Sequence, residues 1–208
     1  MAYFETNVSP FVKAFITSDA LLYSALNLVN ILFVVYVTAS VPGGTVQSAT
    51  ITLAIGFIAR VIVDLSLGKV SSKLSESGKL RLIMLGMTAI SLSYIGFALS
   101  HNIYILGFLW VINGVGWAIG HPAKLALVAK HINHNQASQE WGLTDALNMT
   151  LIVISMILGG WVVGQFSYTA LFAFAALINT GGIVPYALYY RKIHTDKVLG
   201  VKPEPITS

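Results

Sequence analysis

Hydrophobic positions along this chain fall into six long blocks, at about 15–39, 47–68, 82–99, 103–127, 142–164 and 169–190, separated by short polar breaks. An α-helix rises 1.5 Å per residue, so about 20 apolar residues cross the hydrocarbon of a bilayer. Each block is near that length. The blocks are too long for barrel strands and do not alternate, which disfavours a membrane β-barrel. The pattern predicts an all-α, polytopic membrane protein with six transmembrane helices. Residues 1–14 form a short N-terminal segment, 15–190 the helical bundle, and 191–208 a tail containing Pro203 and Pro205. Six spans leave no room for a separate soluble domain. Pro42-Gly43-Gly44 ends the first block, and His101-Asn102 makes the turn between the third and fourth.

The polar positions inside the blocks repeat at helical spacing. Asp19, Tyr23, Asn27 and Asn30 fall on one face of the first block. Thr52, Gly56, Arg60, Asp64 and Gly68 recur every four residues along the second. Asn113, Trp117 and His121 share a face of the fourth, among Gly114, Gly116, Gly120 and Pro122. A charge at the bilayer centre costs about 2.5–3.5 kcal/mol, so each needs a reason. Arg60 and Asp64 lie one turn apart and can neutralise each other. They read either as an internal ion pair that lets the helix insert or as a gate facing another helix. The Asp19 stripe reads as a face lining a water-filled cavity or as helix-to-helix hydrogen bonding. Asp19 itself lies near the end of its block, where it can be solvated or cap the helix. His121 titrates near neutral pH in its unperturbed form and is a candidate for proton linkage; a hydrogen-bonded histidine at the membrane boundary is the plainer reading. Thr144, Asp145 and Asn148 open the fifth block, which carries Gly160 and Gly164 as a small-xxx-small packing pair. Asn179, Gly181, Gly182 and Pro185 predict a flexible or kinked sixth helix. The third block, with only Ser91, Ser93 and Tyr94, reads as peripheral, and His131 and His134 as solvated loop residues.

Composition supports the membrane reading. Of 208 residues, 56% are hydrophobic and 10% charged, against roughly 25% charged in soluble domains. The net charge of +4 sits in the breaks between apolar blocks, which reads as a topology signal and not as a nucleic-acid surface. Lys13, Lys69, Lys73, Lys79, Arg81, Lys124, Lys130, Arg191, Lys192, Lys197 and Lys202 all fall on one side, leaving Arg60 as the exception. The positive-inside rule then places both termini in the cytoplasm. The absence of cysteine excludes disulfides and thiol chemistry. No metal-ligand set, P-loop, dinucleotide fingerprint or nucleophile constellation is present, so no cofactor and no enzymatic activity are expected.

Three places resemble the major facilitator superfamily. The break after the second block, Gly68-Lys-Val-Ser-Ser72-Lys73-Leu-Ser-Glu-Ser-Gly78-Lys79-Leu-Arg81, is similar to that family's Gly-x-x-x-Asp-Arg-x-Gly-Arg-Arg loop motif. Ser72 stands at the aspartate position, and the second glycine comes about three residues late. The run from Gly114 to Val128 is similar to the glycine-rich fourth or tenth helix, with Trp110 where first-half members often carry arginine. Trp141-Gly142-Leu-Thr-Asp145-Ala-Leu-Asn148, with Gly159, Gly160 and Gly164 beyond, resembles the fifth or eleventh helix without its proline.

The resemblance covers six of the family's usual twelve helices. It implies a half-size unit built as two inverted three-helix repeats, with the first and fourth helices lining a cavity and the second and fifth facing another bundle. It further implies secondary transport of a small solute by alternating access, completed by a homodimer or a related half-transporter in the plasma or inner membrane. Tyr23, Asn27, Asn30, Asn113 and Trp117 are then the expected cavity residues. Arg60 and Asp64 are expected at the interface between bundles, with Asp19, Asp145 and His121 as further coupling candidates. A six-helix assembly or regulatory subunit without transport is the alternative, and a channel is disfavoured because no filter-like loop is present.

Overall fold

The computed structural model describes residues 10–132 and 137–198, and the architecture is helical throughout them. Helix α1 (Pro10–Ser40) opens on a proline, whose missing N–H would be unpaired in a first turn anyway. Helix α2 (Val46–Ser72) follows the tight break at Gly43, which among the described residues is the one glycine with positive φ. Helix α3 (Glu76–Leu99) is capped by Ser75, whose hydroxyl accepts from the Gly78 N–H. Helix α4 (Ile103–His131) is capped by Asn102, which accepts from Tyr104 and Ile105. Helix α5 (Ala137–Gln165) is followed by α6 (Tyr168–Gly181), capped by Ser167, and α7 (Ile183–Val198). The last apolar block is therefore two helices in sequence. Gly182 breaks them, and Pro185 sits in the first turn of α7, where proline is tolerated. Six helical stretches are long and apolar enough to cross a membrane, the sixth being Tyr168–Asp196.

The helices overrun the apolar blocks, because polar residues at the bilayer edge still satisfy their backbone groups best by continuing the helix. The segment after Gly68 consequently stays helical to Ser72. The break there shrinks to 73–75, and Gly78, Lys79 and Arg81 belong to α3.

Packing follows an internal symmetry. Helix α1 packs on α5 and α6, α4 packs on α2 and α3, and α3 packs on α6. Exchanging α1, α2 and α3 with α4, α5 and the α6–α7 span leaves these main contacts unchanged. Successive spans alternate in direction, so the two three-helix units are inverted. Phe33, Tyr36, Phe97, Trp110 and Phe172 interlock at ring distances of 5.0–6.4 Å where the units meet. Helices α2 and α5 keep mostly apolar outer faces exposed.

Helix α3 is not peripheral to the packing. Its buried Ser93 accepts from the Asn113 amide (2.8 Å), and Ser91 accepts from Asn179 (2.8 Å) and Thr180 (3.0 Å). Asn179, fully buried, also donates to the Met87 carbonyl. Interhelical hydrogen bonds in membrane bundles are worth about 0.6–2 kcal/mol. Asn179→Ala is expected to lower stability by about 1–2 kcal/mol, read as the shift in thermal unfolding of the detergent-solubilised protein.

At the lysine-rich end, Glu76 of α3 collects Lys130 (2.7 Å) and His131 (3.2 Å) from α4 and the Tyr189 hydroxyl (3.0 Å) from α7. Phe11 of α1 lies against the His131 ring at 4.7 Å. His131 is thus the last residue of α4 in a tertiary cluster and not a solvated loop residue; His134 lies outside the described residues. Arg81 donates to the Tyr190 hydroxyl and lies over its ring.

Candidate solute site between helices α1, α2 and α4

The stripe on α1 turns toward α4. Tyr23, Asn27 and Asn30 are half-buried, while Asp19 is 5% exposed. Asn27 donates to the Tyr23 carbonyl of its own helix (2.8 Å). The Asn30 side-chain oxygen is buried without a partner among the described residues.

Asp19 is neither solvated nor a cap. It forms an ion pair with Lys124 of α4, and both side chains are only 7% exposed. Its second oxygen lies 3.4 Å from the Asn148 amide of α5. Lys124 belongs to the bundle, not to the polar break after it, because α4 continues seven residues further. That places Lys124 about 10 Å in from the helix end. It therefore leaves the set of topology charges, and the remaining lysines and arginines outside Arg60 keep the same asymmetry. The Lys124 ammonium lies 5.5–5.8 Å from the ring centres of Trp117, Tyr23 and Phe15. Such rings attract a desolvated cation through their quadrupoles.

Trp117 is the hub of this face. Its ring meets Tyr23 edge-on at 5.7 Å and His121 at 5.9 Å, and it lies beneath the Arg60 guanidinium at 4.6 Å. Arg60 reaches Asp64 at 3.4 Å. The Arg60 end of the α2 stripe therefore meets α4 of the same chain. Glycine makes this possible: a Cβ on Gly56 would lie 2.7 Å from the Trp110 carbonyl oxygen. Arg60 and Asp64 keep side-chain exposures of 27% and 29%, so both remain reachable from the open side. The constellation holds two cations and two carboxylates, each cation beside Trp117.

The other expected residues divide. Asn113 touches the recess around Arg60 and Trp117, yet its amide is committed to Ser93 and it is 2% exposed. His121 is half-buried beside Trp117. Asp145 is exposed on α5 and takes no part in this face. A Cβ on Gly160 or Gly164 would meet nothing within 4 Å among the described residues, so that pair packs on no other helix of this chain; Gly159 packs instead, on Leu28, Leu32 and Leu171.

A sequence model of the Major Facilitator Superfamily matches residues 7–206. The chain belongs to the major facilitator superfamily. It is an integral membrane protein of a transporter family, with six spans in an all-helical fold. Among curated proteins it is similar to the "Proton-coupled antiporter flippase LtaA" of two Staphylococcus epidermidis strains, with 28% identity over 159 residues, 76% of this chain and 40% of each relative. It is also similar to the "Uncharacterized MFS-type transporter YhjO" of Bacillus subtilis, with 22% identity over 116 residues, 56% of this chain and 28% of that protein. The chain thus spans two-fifths or less of the curated relatives it matches.

In this facilitator bundle the loop-motif residues lie apart from the candidate face around Trp117. Gly68 and Ser72 end α2, Lys73 is exposed in the break, and Gly78, Lys79 and Arg81 occupy the first turns of α3. Lys124 and Asn148 are the site residues that pattern reading passed over. The signal for Lys124 was present: Asn113, Trp117, His121 and Lys124 follow one helical face. Only its position at the edge of the apolar block disguised it.

Proposed function

We propose that this chain is one bundle of a secondary transporter that moves a small, amphipathic solute by alternating access. The observation that carries this reading is the convergence of Tyr23, Arg60, Trp117 and Lys124, from three helices, on one face that also includes the open side of α2. The second bundle, supplied by another copy or a related half, would dock along the apolar faces of α2 and α5 and close the cavity over that face. The staphylococcal relatives' name, a proton-coupled antiporter flippase, favours an amphiphile and proton linkage. Asp19, Asp64 and His121 are the titratable groups around Trp117 that would serve such linkage. The membrane proposed is a plasma or inner membrane, and the lysine and arginine distribution favours cytoplasmic termini.

Cysteine accessibility tests the cavity, and the chain has no native cysteine to interfere. A cysteine replacing Asn27 is expected to react with a small aqueous thiol reagent and to be protected by transported solute. Cysteine at Leu188, on the exposed outer side of α7, is expected to react far more slowly in a bilayer. Slow labelling of both would remove the aqueous cavity.

A further inference from the structure

Beside the Asp19–Lys124 pair, a recess of about 20 Å³ opens between α1, α3, α4 and α7, with Trp117 and His121 on its α4 wall. Ile83 and Met87 of α3 contribute apolar wall; Ser18, Asp19, His121, Lys124 and Tyr186 contribute polar groups, and the Trp117 indole nitrogen, also without a hydrogen-bond partner among the described residues, lines the same recess. Ser18 and Tyr186 are each 1% exposed, and their hydroxyls have no hydrogen-bond partner among the described residues. Burying a hydroxyl without a partner leaves its lost hydration uncompensated. Two such groups beside one ion pair call for a shared partner. The Lys124 ammonium has three donors, of which the Asp19 bond uses one.

We infer that this recess is an internal hydration site, in which a single water bridges the Ser18 and Tyr186 hydroxyls to the Asp19–Lys124 pair. The volume matches: about one probe sphere, 10–15 Å³, is the minimum for a water, and two to four polar partners are needed. A metal cation is opposed by the ammonium of Lys124. The water would supply the pair with solvation that the bilayer cannot, lowering the cost of holding two charges inside a membrane bundle. It would also tie α7, on the far side of the Gly182 break, to α1 and α4.

The test separates a wet site from a dry one by sign. If the water is present, Tyr186→Phe removes a satisfied hydroxyl and lowers the thermal unfolding midpoint of the full chain by about 2–4 °C. Ser18→Ala is expected to act likewise. Combining them is expected to cost less than the sum, because both release the same water. If the recess is dry, Tyr186→Phe removes an unsatisfied group, so an unchanged or raised midpoint, or strictly additive losses, would overturn the inference. X-ray hydroxyl-radical footprinting of the unmodified protein is an independent check, because radiolysis activates bound water in place. Tyr186 and Met87 are expected to oxidise quickly, while Phe97, fully buried, outside the recess and without a polar group, is expected to stay protected. Equal protection of all three would count as decisively against the site.

Discussion

Lys124→Met is expected to destabilise the bundle by about 3–5 kcal/mol, the cost of leaving one partner of a buried ion pair without the other. Asp19 would retain only the weak contact from Asn148, in a side-chain environment 7% exposed to solvent. The same logic fixes the rescue. Asp19→Asn combined with Lys124→Met removes both charges and keeps the volumes, so the double variant is expected to recover most of the loss. Thermal unfolding followed by tryptophan fluorescence, with the yield of monodisperse protein as a second readout, measures both. A double variant as unstable as the single one would mean that the pair is not a closed unit and that Lys124 serves another partner.

Gly114→Val is expected to have a comparable effect through packing alone. Helix α4 is gripped on two sides by backbone. A Cβ on Gly114 would fall deep inside contact distance of the Gly56 carbonyl oxygen, and a Cβ on Gly116 would lie 2.7 Å from the Gly86 carbonyl oxygen. Backbone cannot swing aside as a side chain can, so α2 and α4 would have to separate. Overpacking costs about 1–3 kcal/mol and more where the neighbour is rigid. The separation would also lift Arg60 from Trp117, so the variant is expected to lose both stability and the shape of the solute face. Gly160→Ala is the matched control. Nothing lies within 4 Å of its Cβ position, and Ala is favoured over Gly in a helix interior by up to about 1 kcal/mol. Its stability is expected to hold or rise slightly. Equal losses at Gly114 and Gly160 would show that the crossing with α2 does not set the outcome.

Much of this site was legible because helical periodicity is local. The four-residue spacing of Asp19, Tyr23 and Asn27, and of Arg60 and Asp64, defines faces before any packing is known. Where those faces point is not local. The spacing on α2 allows either an internal ion pair or a gate facing another helix; that Arg60 lies over Trp117 depends on Gly56 meeting α4. Likewise Asp145 and Asn148 are three residues apart on α5, yet one is exposed and the other reaches Asp19. Which of two neighbouring polar positions faces inward is set by how α5 rotates against α1.

The sequence by itself determined the number of spans, the all-helical class, the break in the last span at its glycines, and the segregation of most lysines and arginines to one side. These follow from segment length, hydropathy and backbone chemistry, which each stretch carries alone. Only the tertiary structure decided that Lys124 is a core residue paired with Asp19, that Ser91 and Ser93 bind neighbouring helices, and that Glu76 gathers Lys130, His131 and Tyr189. Each of these joins residues dozens of positions apart. A charge at the edge of an apolar block can face solvent or a partner at similar local cost. Which it does depends on whether another helix presents the opposite charge at the same depth.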